Sequence, residues 1–501
     1  MNKSPNLKKS IVKNSFWSFS ATFINRMGSL IFTIILARFL MPEKYGIYSI
    51  VMSVAMILFT FSDLGVNQTL VRYVSLVFSS NKPKGASYYF YLLKLKFILT
   101  SGSALVLLLL AYPLSEYIFK NPLLFLPLLI VSGYIFIFSF EGFYAFLFYS
   151  IEKVKYVSIR EFLSQFTRIF FVLFVIYFMS STNQIVWIIL ALTLSSLIVL
   201  IFCFYFLKKI VPQLFKKTNT QINKREVRKF VIYLTITSIS GIFFSYVDSI
   251  MLGIFLLPEY VGFYRAAFSL IYGIIGFISF PILLLLAIFT KLNSKKTKKV
   301  FEQAFRYLAI ITIPSIFGLI ILGRFFIKLF YGAAYLPSTL LLYILSPLIF
   351  IIVSINVLLS LFSAKGKPQI FAKLAVISSI LNIILNFIFI KLFLLISPLW
   401  ATAGAAIATL ISWIFYFLIL VYHIKKDLKF SISFNFLIRP LFSAIIMFFS
   451  LYFLISQFTN INLFLGIFFT LEGVLVYVVM MLLIKGIKRE EFELIKQLIY
   501  R

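Results

Sequence analysis

Residues 36–50 read LARFLMPEKYGIYSI, and residues 252–266 read LGIFLLPEYVGFYRA. Aligned without gaps, seven of the fifteen positions are identical. They include Pro42-Glu43 with Pro258-Glu259, and Gly46 and Tyr48 with Gly262 and Tyr264. Each copy lies between two long apolar runs. Proline cannot continue a helix and glycine lets the chain turn, so each copy reads as a tight turn between helices. A turn written twice, 216 residues apart, predicts a chain built from two related halves.

The surrounding composition names the solvent. Of 501 residues, 62% are hydrophobic and 12% charged, with a mean hydropathy of +1.05. Soluble domains are about half apolar and about a quarter charged. Apolar runs of roughly 20 to 27 residues recur from end to end, the length of a membrane-crossing helix. Barrel strands would show alternating segments of about ten residues, so the chain reads as all-α and polytopic. The first run is full-length and lacks a small-residue cleavage site, so it reads as an insertion signal that is not removed.

Fourteen spans are predicted, at about 15–40, 45–69, 89–112, 123–147, 158–179, 185–207, 230–256, 262–289, 304–323, 337–362, 370–395, 400–423, 436–456 and 461–484. The 47 basic residues support this map. With the N-terminus in the cytoplasm, 38 fall on the inner side, seven on the outer side and two, Arg26 and Arg168, within spans. That is the bias of cytoplasmic loops towards Lys and Arg, and it predicts both termini in the cytoplasm. It also explains the net charge of +32 without nucleic acid, because the cations sit in short clusters between apolar runs. One cysteine, Cys203, and one histidine, His423, exclude a disulfide framework, a metal cluster and a catalytic dyad.

The repeated turn falls between spans 1 and 2 and again between spans 7 and 8. Six spans separate the copies, an even number, so both halves enter the membrane in the same orientation. A fainter echo pairs LFYSIEK at 147–153 with LFSAKGK at 361–367. The expected architecture is therefore two six-helix bundles in parallel pseudo-twofold repeat plus two C-terminal helices. The expected divisions are 1–215, a basic linker at 216–229, 230–428, and 429–501 with a cytoplasmic tail. The eight basic residues of 208–229 read as a topology signal or as a site for anionic headgroups. Parallel repeats are a transporter architecture, with the substrate site expected between the bundles.

Ionisable residues inside a membrane are costly and mark function. Span 1 carries Ser15, Ser18, Thr22, Arg26, Ser29 and Thr33 on one helical face, with Asn25 a further candidate, and span 5 carries Arg160, Ser164 and Arg168 with Glu161 and Gln165 adjacent. Asp63 lies in span 2, Ser245 and Asp248 in span 7, Asn382 and Asn386 in span 11. Arg26 and Arg168 are too deep to reach the interface and read as cavity cations or as members of buried ion pairs. Asp248 is either a substrate ligand or a partner, for instance of Arg26. Arg160 and Glu161 read as a pair at the inner rim. Asp63 and Glu141 lie towards inner helix ends and read as interfacial. The hydroxyl residues either contact substrate or bond their own helix backbone. Glu472 lies mid-span with no evident partner. No phosphate-binding loop is present, so ATP hydrolysis is not expected.

The stretch NSFWSFSATFINRMGSLIFTIILARFLMPEKYGIYSI, then FSDLGVNQTLVRYVS at 61–75, then YVDSIMLGIFLLPEYVGFYRAA at 246–267 resemble the polysaccharide flippases of the MOP superfamily. That superfamily includes Wzx-type O-antigen flippases, the lipid II flippase MurJ and the MATE drug exporters. Asp63-Leu64-Gly65 and Asp248 before Leu252-Gly253 look like its pattern. The resemblance implies a non-enzymatic transporter without cofactor or bound metal, in the cell membrane. Its cargo would be a polyprenyl-pyrophosphate oligosaccharide, moved from the inner to the outer leaflet for cell-surface polysaccharide or glycan assembly. Coupling to an H+ or Na+ gradient, contact with membrane lipids and other polysaccharide-assembly proteins as partners fit that reading. Arginines in a wet cavity suit a pyrophosphate. The alternatives are a MATE-like ion-coupled drug or cation exporter, which would favour a cavity of carboxylates, and a membrane glycosyltransferase or polymerase, which the short outer loops disfavour. The C-terminal IKREEFELIKQLIYR reads as an amphipathic surface helix.

Overall fold

A computed structural model describes residues 5–78, 80–179, 183–218, 220–279, 282–292, 294–428, 434–458 and 461–486. The amphipathic stretch expected after residue 486 lies outside them. Sixteen α-helices follow in order: α1 (Pro5–Asp63), α2 (Val66–Phe78), α3 (Lys82–Pro113), α4 (Phe125–Ser150), α5 (Val154–Phe178), α6 (Gln184–Ile210), α7 (Lys224–Phe255), α8 (Pro258–Ile278), α9 (Leu283–Lys291), α10 (Ser294–Phe330), α11 (Ser338–Leu345), α12 (Leu348–Ala364), α13 (Pro368–Leu394), α14 (Pro398–His423), α15 (Ile438–Ser456) and α16 (Leu463–Leu483). No strand occurs among the described residues.

Twelve helical segments among the described residues are long and apolar enough to cross a membrane. The first of them, Phe16–Phe78, contains Met41, whose backbone (φ 59, ψ 168) is not helical, so it makes two passes. The 32-residue α7 is not one of the twelve; its stretch Phe244–Phe255 is a shorter apolar helix. Proline begins α8, α13 and α14, where its missing N–H costs nothing. Asn81, Asn223 and Asn462 cap α3, α7 and α16 by accepting from Lys84 N (3.0 Å), Glu226 N (3.2 Å) and Leu465 N (2.8 Å).

The second pass runs further than its hydrophobicity suggested. It breaks at Leu64 (φ 41) and Gly65 (φ 82) and resumes as α2 to Phe78. The break is held from both sides. Asp63 accepts from Asn67 N at 3.2 Å, which caps α2, and the Thr235 hydroxyl of α7 donates to the Leu64 carbonyl at 3.0 Å. Gly65 has positive φ, and a β-carbon there would lie 2.4 Å from Leu234 Cβ. Only glycine satisfies both demands.

The chain divides into two compact units. Residues 1–265 with 375–405 form one, and 266–374 with 406–501 the other. The first unit has a core of Tyr88, Tyr89, Phe143, Phe148, Val199 and Cys203, among others. In the second, α15 and α16 pack on α10 through Ala309, Ile313, Met447, Leu451, Phe469 and Tyr477. Gly466 of α16 admits the Phe325 ring, which a β-carbon would approach to 2.0 Å.

The repeated turn has a physical answer inside the first unit. The two copies pack on each other. A β-carbon at Gly46 would lie 1.7 Å from the Pro258 carbonyl oxygen, and one at Gly262 would lie 2.2 Å from the Pro42 carbonyl oxygen. The contact is reciprocal: the glycine of each copy receives the proline carbonyl of the other. The fainter echo is also a shared local structure. Lys153 N donates to Phe148 O (2.9 Å) and Lys367 N to Phe362 O (3.0 Å), six-to-one closures after residues of positive φ, Glu152 and Gly366.

Candidate functional site: a polar seam between α1 and α5

Both α1 and α5 rise in the same direction, and their facing residues pair in register. Ser158 Oγ donates to the Trp17 carbonyl at 2.5 Å. Further along both helices, Asn25 Nδ2 donates to Glu161 Oε2 at 2.9 Å. Next, Gly28 packs on Gln165, whose Cγ would lie 2.5 Å from a β-carbon at 28. Last, the Arg168 guanidinium lies over the Phe32 ring at 4.0 Å. Glycine at 28 lets the helices approach closely, and the polar groups are stacked along the line of contact.

Arg160 joins this seam to α4. Its guanidinium pairs with both Glu141 and Glu161. The expected Arg160–Glu161 pair is therefore present with a third member. Glu141 corrects the expectation of an interfacial residue: it is fully buried, nine residues before the end of α4, because Arg160 compensates its charge. Two carboxylates share one guanidinium, so Arg160 has no charge left for a ligand.

The two arginines expected within spans differ. Arg26 is exposed, and no hydrogen bond or ion pair to it occurs among the described residues. It is not the partner of Asp248. Arg168 is half-buried; its Nε is buried without a hydrogen-bond partner, and it lies within electrostatic range of Tyr48 and Tyr134. These two cations have no carboxylate partner among the described residues.

The hydroxyls of span 1 divide as the sequence allowed. Thr22 Oγ1 donates to the Ser18 carbonyl at 3.0 Å, a bond within its own helix. Ser29 is half-buried, and its carbonyl accepts from Thr33 Oγ1 at 3.0 Å.

Asp63 and Asp248 lie away from this seam in separate arrangements. Asp63 pairs with Lys96 Nζ at 3.0 Å, and Lys96 is fully buried. Asp63 sits at the break of the second pass, where the ion pair and the helix cap both use its carboxylate. Lys96 was missed. It had been assigned to the inner side as a topology cation, yet it falls eight positions inside the apolar run 89–112, and that depth was the available signal. Asp248 is 2% exposed. Its Oδ2 accepts from Tyr264 Oη at 2.5 Å and its Oδ1 from Asn386 Nδ2 at 2.7 Å. Asn386 also donates to the Asn382 carbonyl at 3.0 Å. Asp248, Asn382 and Asn386 therefore form one cluster tying α7, α8 and α13 together. Ser245 lies one turn before Asp248, and its carbonyl accepts from Arg265 at 3.2 Å. Glu472, in the second unit, accepts from the Ser450 hydroxyl at 2.7 Å.

Chemically, Arg26 and Arg168 are available to an anion, whereas Glu141, Glu161, Asp63 and Asp248 are already engaged by their own partners. No group of three or more His, Cys, Asp or Glu residues placed to hold a metal occurs among the described residues.

A curated relative, the probable low-salt glycan biosynthesis flippase Agl15 of Haloferax volcanii, is 26% identical over 281 residues, 54% of this chain and 57% of that protein. The match thus spans little more than half of that relative. The lipid II flippase MurJ, solved in an inward closed conformation, superposes with a TM-score of 0.73 at 19% identity, over 93% of this chain and 97% of that one. A MATE-family multidrug transporter of the MOP superfamily, in its inward-facing form, superposes with a TM-score of 0.58 at 13% identity, over 83% and 96%. Residues 11–292 match the family described as polysaccharide biosynthesis protein, and with more than half its length inside that match, this multi-pass membrane chain belongs to that family.

Proposed function

We propose that this protein is a flippase for a lipid-linked oligosaccharide, a polyprenyl pyrophosphate carrying sugars. It moves this cargo from the inner to the outer leaflet of the cell membrane by alternating access, for cell-surface polysaccharide or glycan assembly. It is a transporter and not an enzyme. The observation that carries the reading is that Arg26 and Arg168, both within predicted spans, have no carboxylate partner among the described residues. Guanidinium binds phosphate oxygens through two parallel charge-assisted hydrogen bonds. The family and the named relative supply the kind of cargo; the arginines supply a reason for its anionic headgroup.

In this reading both termini are cytoplasmic, as the basic-residue bias supports, and the chain is two six-helix repeats, 1–215 and 230–428, joined by the linker 216–229 and followed by two further helices in 429–501. The repeated turn then lies on the outer side. Asn25, Ser29 and the Asp248–Asn386 cluster are proposed to line the path of the sugars. A proton or sodium gradient is the proposed drive. The rival cation exporter needs available carboxylates, whereas Glu141, Glu161, Asp63 and Asp248 are each engaged by a named partner.

Purified protein in liposomes tests the reading, with a fluorescent polyprenyl-pyrophosphate oligosaccharide and a quencher that reaches one leaflet. Protein-dependent loss of the protected signal is expected. No flipping of such cargo, together with uptake of an organic cation, would replace the reading with the exporter.

A further inference from the structure

We propose that the surface formed by the start of α3 with Thr218 and residues 220–224 is a binding site for the phosphate of an anionic membrane phospholipid. Four observations carry it. A cavity of about 620 Å³ opens there, lined by Ser87, Tyr91, Thr218, Gln221 and Lys224 with apolar Phe90 and Ile222, a size that fits a small-molecule headgroup. Its floor is fixed: Ser87 Oγ and Thr218 Oγ1 lie 2.8 Å apart, and Thr218 Oγ1 donates to the Pro83 carbonyl at 2.8 Å.

The charge around it is one-sided. Residues 70–95 and 205–232 hold twelve basic residues and one acidic residue, Glu226. Glu226 is already engaged by the Tyr73 hydroxyl (3.1 Å) and Asn223. Lys216, Lys217, Lys224 and Arg225 are exposed, with no ion pair among the described residues.

The start of α7 beside it is also packed onto the protein. Arg72 of α2 stacks on Phe230 of α7 at 4.4 Å, and Val227 and Val231 are buried in the core of the first unit. A pure topology signal needs charge and no such structure.

Finally, the depth is right for a headgroup. The 32 residues of α3 extend about 48 Å, against a hydrocarbon core of about 30 Å. Lys94 is exposed, and an exposed ammonium does not stay in hydrocarbon, so its level marks the interface. Ser87 and Tyr91 lie between Lys94 and the start of the helix, roughly 5 to 10 Å further out. The phosphate would meet Lys224 and the Thr220 hydroxyl, while Phe90 and Ile222 cover the glycerol and first methylenes.

Native mass spectrometry of the full chain, with dioleoyl phosphatidylglycerol against dioleoyl phosphatidylcholine, tests this. Wild type is expected to retain the anionic lipid in preference. The Lys217→Gln/Lys224→Gln variant is expected to lose at least about fivefold in that retention, the scale of one cation at a membrane surface. Lys208→Gln/Lys209→Gln, which removes the same charge away from the cavity, is expected to keep most of it. Equal loss in both variants means diffuse surface charge and overturns the site. So does no loss in either, and so does retention of a polyprenyl pyrophosphate with no retention of phosphatidylglycerol.

Discussion

Substitution of Gly46 by alanine tests the reciprocal packing of the repeated turns. The new methyl carbon would sit 1.7 Å from the Pro258 carbonyl oxygen and 2.4 Å from its carbon, where ordinary contact begins at 3.4 Å. The two segments must part by about 1.7 Å locally. Both clashing groups are backbone, so no side chain can rotate away. Overpacking of this kind costs about 1–3 kcal/mol. That cost falls only on states in which the turns touch, so it shifts the population towards separated turns by about 5- to 150-fold. Spin labels at Glu43→Cys and Glu259→Cys, read by pulsed electron resonance, report the separation; Cys203 is buried and stays unlabelled. The Gly46→Ala protein is expected to gain a longer-distance population that wild type lacks. Gly262→Ala, with its clash of 2.2 Å against the Pro42 carbonyl, is expected to act in the same direction. Gly102→Ala, where nothing lies within 4 Å of the added carbon, is the control. A Gly46→Ala distribution identical to wild type would refute the packing argument, as would opposite effects of the two glycine variants.

Other expectations follow from the buried polar groups. Lys96→Met leaves Asp63 without its counter-ion and Asp63→Asn leaves a buried ammonium; each is expected to destabilise by about 3–5 kcal/mol, seen as a lower melting temperature in detergent, while the double variant Asp63→Leu/Lys96→Met recovers most of the loss. Tyr264→Phe removes the Tyr264 hydroxyl that donates to Asp248 and is expected to cost about 1–3 kcal/mol in the same assay. Gly28→Leu drives a side chain into Gln165 and is expected to separate α1 from α5, read as new labelling of a cysteine introduced at Phe32, which is 3% exposed.

The helical membrane fold was legible because lipid leaves few options: apolar runs of spanning length force helices. The repeat was legible because Gly46 and Gly262 meet backbone, where substitution is costly and the motif stays readable. The end of the second pass was not legible. Leu64 and Gly65 interrupt the helix while α2 carries on with a mixed face, so hydrophobicity alone stopped near residue 69. The candidate site was half legible. Depth singled out Arg26, Arg168 and Asp248, but depth does not reveal partners. Asp248 proved to be held by Tyr264 and Asn386, on helices distant in sequence. Lys96 was absorbed into the topology count because one-dimensional bookkeeping assigns every lysine to a loop side. The seam itself, Asn25 to Glu161 and Gly28 to Gln165, depends on which helices are neighbours, and no residue spacing within either helix encodes that.

The central claim is that Arg26 and Arg168 receive the pyrophosphate of the cargo. Its most direct test is the initial rate of protein-dependent flipping of a polyprenyl-pyrophosphate oligosaccharide in liposomes, for wild type, Arg26→Gln and Arg168→Gln, each verified as folded by its melting temperature. Hydrogen bonds to a charged group contribute about 1.5–3 kcal/mol, so each variant is expected to flip at least about tenfold more slowly at limiting cargo. Wild-type rates in both variants would contradict the account.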